Sequence, residues 1–128
     1  MKILSEAFGV HEQALRARSQ RMELLAANIA NADTPRFKAK DIDFKQVMGQ
    51  VQRDAINTTN NRHFSVQQDE TNADGVKYRN PLNASADGNT VELSIEQANY
   101  GKAAADYRAT LMFIENRTSS IKRALRGE

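Results

Sequence analysis

Apolar residues near the start of the chain recur at alternating intervals of four and three. Between residues 3 and 31 this spacing selects the apolar seam residues Leu4, Phe8, Leu15, Met22, Leu25 and Ile29. A heptad of this kind predicts a long helix whose seam packs lengthwise on another helix. Pro35 excludes further helix and moves Thr34 out of the helical region, so we expect this helix to end near residue 31.

The same spacing returns at the end of the chain, over residues 93–125. This second seam holds Leu93, Tyr100, Tyr107, Leu111, Ile114, Ile121 and Leu125. Ser94 followed by Gln97 has the spacing of a capping box and predicts a helix start near Ser94, while Asn89 followed by Glu92 is a weaker rival start. Gly127 stands where such a helix is expected to end.

Residues 33–90 lack the helical period and are poor in large apolar residues. The stretch 42–51 is compatible with a short helix. Residues 64–66 and 76–78 alternate apolar and polar as strands do, and Asp74-Gly75 is a turn signal before the second of them. We therefore expect a loop-rich middle segment that holds a short helix and a β-hairpin.

The predicted fold is mainly α. Residues 1–32 and 91–128 form one elongated helical domain, a coiled-coil-like hairpin of the two terminal helices, and residues 33–90 form the irregular, β-containing middle. A helix over 93–125 is ~50 Å long, whereas a compact globule of this size is roughly 35–40 Å across. Its seam must therefore find a partner in the N-terminal helix or in another subunit. The middle segment is long enough for either an antiparallel or a parallel pair.

Composition and charge exclude several function classes. The chain has 128 residues, a formal net charge of +2 and no cysteine, so it has no disulfide and no thiol chemistry. Acidic and basic residues are mixed along the whole length, which does not fit a nucleic-acid binder. Glu6 interrupts the apolar start that a secretory signal needs, and no run approaches the ~20 apolar residues of a membrane helix. We expect no nucleic-acid partner, no direct membrane insertion and no cleaved signal.

Candidate catalytic side chains form no recognised pattern. His11-Glu12 resembles the start of a zinc-protease motif, but Leu15 stands where the second histidine is needed. Asp41 and Asp43 are better explained as turn and helix-start acids than as an acid–base pair. The sequence shows no phosphate loop, dinucleotide turn or nucleophile elbow. We therefore predict that the chain is not an enzyme and has no catalytic, cofactor-binding or metal site.

A helix end alone does not explain the stretch that follows the first seam. Asn28 lies beside the seam, where a polar residue lowers stability but can fix register through specific hydrogen bonds. This stretch resembles the N-terminal signature of the flagellar basal-body rod family. The matching residues are Ala27, Asn28, Ile29, Ala30, Asn31, Thr34, Pro35 and Phe37. Arg36 stands where that family usually has glycine, which tolerates a positive φ.

The resemblance covers essentially the whole chain and is strongest to the short, proximal-rod members of the family. It implies a structural subunit of the rod, the drive shaft that crosses the periplasm and links the motor to the hook. It also implies synthesis in the cytoplasm, type III export without a cleaved signal, and self-assembly by helix packing. The partners implied are other rod proteins, motor-side basal-body and export-gate components, and copies of the chain itself. From the residues alone, a soluble helical adaptor or export chaperone that binds through an amphipathic helix remains the alternative.

Overall fold

A computed structural model of the chain describes residues 2–54 and 75–127, with side chains described for residues 8–50 and 75–127. The elements in chain order are α1 (Lys2–Ala30), β1 (Lys40–Ile42), α2 (Phe44–Asp54), β2 (Val76–Tyr78) and α3 (Leu93–Arg126). The predicted class, mainly α with two long terminal helices and a short strand-containing middle, is confirmed.

The two long helices pack lengthwise on each other, and their direction is antiparallel. Asn28 of α1 donates a hydrogen bond to Glu96 of α3. Arg18, ten residues earlier in α1, pairs with Asp106, ten residues later in α3. Moving backward along one helix therefore moves forward along the other. This result decides between the two directions that the sequence left open.

The helix ends lie close to the predicted positions, but α3 does not begin with a capping box. Its first residue is Leu93, one before Ser94, and its N-cap is Glu92, which makes no side-chain cap hydrogen bond. The Glu92 carboxylate instead accepts the backbone N–H groups of residues 82 and 83. The rival start at Asn89 is wrong, because Asn89 lies before the helix and has other partners.

Glycine ends α3 as the sequence predicts. Gly127 follows the last turn with φ 75°, in the left-handed region that favours glycine, and its N–H donates to the carbonyl of Ala124. The first helix ends at Ala30, one residue before the predicted limit.

The middle segment contains a two-stranded antiparallel sheet that the sequence predicted only in part. β2 forms where the alternation over 76–78 predicted a strand, but its partner is β1, with Lys40 opposite Tyr78. A three-residue strand such as β1 is too short to show a period, which is why the sequence did not reveal it. The other strand expected, at 64–66, lies outside the described residues. The short helix expected over 42–51 is α2.

The core is small and mixes apolar with polar side chains. Its buried apolar members are Ala17, Leu25, Ala39, Ile42 and Ala103, and its buried polar members are Asn28, Asn89, Glu96 and Thr110. On α3 the buried residues Glu96, Ala103 and Thr110 recur every seven residues. Thr110 lies one residue before Leu111 of the predicted seam, and Glu96 and Ala103 lie three residues after its Leu93 and Tyr100. The most deeply buried positions of α3 therefore hold small and polar residues, and its large apolar side chains are partly buried or exposed.

The predicted seam residues are consequently buried to different degrees. Leu25 is fully buried. The partly buried ones are Phe8, Leu15, Met22, Ile29, Tyr107, Leu111, Ile114 and Ile121. Leu93, Tyr100 and Leu125 are exposed in the isolated chain. The side chain of Leu4 lies outside the described ones.

Candidate functional site

Five polar side chains meet where α1, β1, β2 and α3 come together. We call this cluster the polar corner; its members are Arg21, Asn28, Asp41, Arg79 and Glu96. Arg21 and Asn28 lie on α1, Asp41 lies in β1, Arg79 directly follows β2, and Glu96 lies in the first turn of α3. The corner therefore joins the helical hairpin to the small sheet of the middle segment.

Asn28 connects α1 to β1 and to α3. Its Nδ2 donates to the backbone carbonyl of Lys40 at 2.8 Å and to Oε2 of Glu96 at 3.1 Å. The N–H of Lys40 donates in return to Oδ1 of Asn28 at 3.1 Å. The buried amide thus satisfies a backbone N–H and a backbone carbonyl of β1 as a neighbouring strand would. These are specific hydrogen bonds of the kind expected for a polar residue beside a seam.

Arg79 bridges two carboxylates that belong to different elements. Its Nη2 donates to Oδ2 of Asp41 at 2.6 Å, and its Nη1 donates to Oε1 of Glu96. Arg21 reaches the same Asp41 from α1, with Nε 2.9 Å from Oδ1 and Nη2 3.2 Å from Oδ2. This two-pronged contact matches the guanidinium fork to both carboxylate oxygens. Because two cations face two carboxylates, the formal charges of the corner balance.

The charged form of Asp41 is favoured inside the corner. Burial of the carboxyl group raises its pKa, but hydrogen bonds from Arg21 and from the N–H of Ile42, together with the charge of Arg21, have a larger combined effect. The pKa of Asp41 therefore lies below its ordinary value. The hydrogen bond to Asp41 also raises the pKa of Arg21 above its ordinary value. Both shifts result from the contact between Arg21 and Asp41, which favours the charged form of each group.

The signature residues form the turn that leads from α1 into β1. Asn31 donates from Nδ2 to the carbonyl of Ala27 at 2.8 Å, and the hydroxyl of Thr34 donates to Oδ1 of Asn31 at 3.2 Å. Arg36 has φ 62°, and its N–H donates to the carbonyl of Asp87 at 3.1 Å. The arginine therefore adopts the left-handed backbone that glycine favours.

Asn89, which was predicted only as a possible helix start, binds this turn from the segment before α3. Its Nδ2 lies 3.1, 2.8 and 2.9 Å from the carbonyl oxygens of Asn31, Ala32 and Thr34. Its Oδ1 accepts the N–H of Val91 at 2.7 Å. These carbonyls belong to the turn after α1, where no regular ladder pairs them, and the buried Asn89 supplies the donor.

Of the predicted signature residues, the structure brings Asn28 into the corner and Asn31 and Thr34 into the turn. The others are placed along the same stretch: Ile29 and Phe37 are partly buried, and Ala27, Ala30 and Pro35 are exposed. The expectation for Asp43 is confirmed, because its Oδ1 accepts the N–H of Gln46 in the first turn of α2. The expectation for Asp41 is wrong: it lies in β1 and pairs with two arginines rather than forming a turn.

Sequence reasoning did not assign Arg21, Arg79 or Glu96 to a site. For Glu96 the sequence shows only a spacing, since residues 96, 103 and 110 recur at the heptad interval but hold no large apolar side chain. Such an interval without large apolar residues does not distinguish a buried helix face from an exposed one. The two arginines have no comparable local signal, because their partners are far away in the chain.

Within residues 2–54 and 75–127, no group of three or more His, Cys, Asp or Glu residues is placed to hold a metal ion. No helix in that part of the chain is long and apolar enough to cross a membrane.

The signature turn and part of the corner lie in a region that the chain shares with known proteins. Residues 8–38 match the family described as flagella basal body rod protein. Over 128 aligned residues the chain is 42% identical to the flagellar basal body rod protein FlgB of Aeromonas hydrophila, with 96% of this chain and 95% of the relative covered. The chain belongs to the FlgB family of flagellar basal body rod proteins.

Other FlgB proteins show the same extent of similarity. FlgB of Salmonella typhimurium is 35% identical over 132 aligned residues, which cover 97% of this chain and 96% of the relative. FlgB of Escherichia coli is 34% identical over 132 residues with the same coverage. The match to the FlgB family therefore includes the sheet and α3 as well as the N-terminal signature.

Proposed function

We propose that this chain is a structural subunit of the flagellar basal body rod and that it is built into the rod by helix packing. The observation that carries the proposal is its similarity to FlgB proteins over almost the whole length of both chains. Those relatives are named as rod proteins, which are structural and not enzymes. A chain that shares their whole length is expected to share their place in the same structure.

Exposed apolar side chains on more than one side of α3 support assembly by packing. Met112 and Phe113 are 62% and 66% exposed, and Leu125 is 83% exposed. With Leu93 and Tyr100 these side chains are spread over ~48 Å of helix. Burying apolar surface contributes roughly 25 cal/mol per Å². Neighbouring subunits that cover this surface would therefore add stability that the isolated chain lacks.

The finer details of the proposal follow the resemblance to the rod family. The neighbours are other rod proteins, motor-side basal-body and export-gate components, and copies of this chain. The subunit is made in the cytoplasm, exported without a cleaved signal, and placed in the part of the rod that crosses the periplasm. Residues 1–32 and 91–128 form the packing unit, and residues 33–90 bridge adjacent subunits. The polar corner supports this division, because it fastens the middle segment to the helices.

The proposal is tested by complementation of a bacterium that lacks this protein. Phe113→Asp is expected to leave the free energy of unfolding of the purified chain within about 0.5 kcal/mol of wild type, because the side chain is exposed. The same variant is expected to abolish swimming and incorporation into purified basal bodies. Phe113→Leu, which keeps an apolar surface, is the matched control and is expected to retain both.

Leu15→Asp and Leu111→Asp probe the partly buried side of the same helices. Both are expected to lower the free energy of unfolding and to abolish incorporation. Normal incorporation of all three aspartate variants would show that helix packing does not build the subunit into the rod. A wild-type chain that stays monodisperse in the cytosol and is absent from basal bodies would instead indicate the adaptor or chaperone.

A further inference from the structure

β1 is attached to α1 by contacts that do not involve Arg79. The side chain of Asn28 pairs with both backbone groups of Lys40, and Arg21 pairs with Asp41. The segment before β1 is also bonded to the segment before α3, since the N–H of Thr90 donates to the carbonyl of Phe37 at 3.0 Å. β1 is thus anchored on the helical hairpin through its own residues.

β2 is anchored differently, because it lies on β1 at the edge of the sheet. The ladder is closed at its two ends by hydrogen bonds from the N–H of Arg79 to the carbonyl of Ala39, at 2.9 Å, and from the N–H of Asp43 to the carbonyl of Gly75, at 3.1 Å. Lys77 and Tyr78 are exposed. A two-stranded sheet of this length is only marginally stable in water without further support.

Arg79 supplies such support from the residue that follows β2. Its guanidinium reaches across β1 to Asp41 and on to Glu96, whose side chain is fully buried on α3. Hydrogen bonds between charged groups in a partly buried site are the strong ones. A second ion pair of the same strand, between Lys77 and Asp43 at 3.2 Å, is exposed on both sides. Exposed pairs of that kind contribute little.

We propose that Arg79 is an electrostatic latch that holds β2 on the helical hairpin, and that its release frees β2 while α1, β1 and α3 stay together. The latch gives β2 an opening step of its own, separate from unfolding of the helices. It does not depend on the role of the chain in the rod, since it rests on contacts within one subunit.

Hydrogen exchange of the full-length chain, followed amide by amide, tests the latch. The amides of residues 43 and 79 donate across the ladder and report on β2. The amides of Lys40 and Thr90 donate to partners outside β2 and report on the anchored part. Arg79→Gln alone leaves the Glu96 carboxylate buried without a cation, so both sets of amides are expected to exchange faster.

The decisive variant is therefore the double substitution Arg79→Gln with Glu96→Gln, which removes the latch without leaving a buried charge. We expect the ladder amides to exchange about tenfold faster or more, and the amides of Lys40 and Thr90 to keep their wild-type rates. Lys77→Gln is the matched control on the same strand and is expected to change neither set.

Three results would overturn the latch. One is equal acceleration of both sets in the double variant, which would mean that β2 opens only when the whole chain unfolds. Another is an unchanged ladder in the double variant, which would mean that Arg79 does not hold β2. The third is a ladder that exchanges without protection in the wild-type chain.

Discussion

A few side chains attach the middle segment to the helices by hydrogen bonds, and on α1 the main one is Asn28. It bonds to both backbone groups of Lys40 and to Glu96. Its position beside the seam and its match to the rod signature could be recognised in the sequence. Its partners could not, because they lie 12 and 68 residues away in the chain.

Asn28→Ala is expected to lower the free energy of unfolding by about 2–4 kcal/mol, since it leaves two backbone groups of Lys40 unpaired and removes a donor to Glu96. Urea denaturation followed by circular dichroism measures this loss. The control is Asn31→Ala, whose side chain makes exposed hydrogen bonds within the turn and whose loss is expected to stay below about 1 kcal/mol. Equal losses for the two variants would contradict the role given to Asn28.

The lowered pKa of Asp41 predicts that the stability of the fold depends on pH. Its pKa in the folded chain lies below its ordinary value, because burial is outweighed by hydrogen bonds from Arg21 and Ile42 and by the charge of Arg21. A carboxyl of this kind stabilises the fold above its unfolded pKa of about 3.9, and the contribution is lost as the pH falls through the folded value. Arg21, Arg79 and Glu96 are the charged groups that face it in the corner.

We therefore expect the free energy of unfolding to fall as the pH is lowered below about 4, and Asp41→Asn to weaken that decrease. Urea denaturation between pH 7 and pH 3 measures both. Asp43→Asn is the comparison variant, and its effect is expected to be smaller because the Asp43 carboxylate is exposed to water. An identical pH profile for wild type and Asp41→Asn would show that Asp41 does not carry the dependence.

Among the elements, the ends of the helices were predicted from the sequence more accurately than the residues that are buried on them. Proline, glycine and the heptad period act locally, so the ends of α1 and α3 and the existence of α2 were accessible. The burial of Glu96, Ala103 and Thr110 was not predicted, because none of them carries a large apolar side chain. A buried glutamate needs hydrogen-bond partners, and those of Glu96 are Asn28 of α1 and Arg79 after β2.

The start of β2 carries a prediction about glycine. Gly75 has φ 63°, and a Cβ added there would lie 2.6 Å from Cγ2 of Val47 in α2. Gly75→Ala is expected to lower the free energy of unfolding by about 1–3 kcal/mol, because it adds both backbone strain and a clash. The matched control is Gly101→Ala in α3, where a Cβ meets nothing within 4 Å. That variant is expected to raise stability by up to about 1 kcal/mol, and stabilisation by Gly75→Ala would contradict the geometry.

At the scale of the whole molecule, the structure is an antiparallel hairpin with a defined register. Residue 28 lies opposite 96 and residue 18 lies opposite 106, so residue 12 is level with residue 112. Packed helix axes are about 8–10 Å apart. Residue 94 is displaced from that level by 18 residues, or ~27 Å along the axis.

Spin labels measure this register directly, since the chain has no cysteine of its own. A pair at Glu12→Cys and Met112→Cys, both exposed, is expected to give a clearly shorter distance than a pair at Glu12→Cys and Ser94→Cys. The second pair is the control for label placement on the same two helices. The reverse order of the two distances would contradict the antiparallel packing.

Local sequence was sufficient to predict the class of fold, the ends of the two long helices and the resemblance to the rod family, because all three depend on residues close together in the chain. The folded chain was needed to establish the direction of the helical hairpin, the pairing of β1 with β2, the fully buried residues of α3 and the polar corner. Those features depend on which distant residues share their hydrogen bonds and charges. The roles of Glu96 and Arg79 depend on partners that only the folded chain brings within a few ångströms.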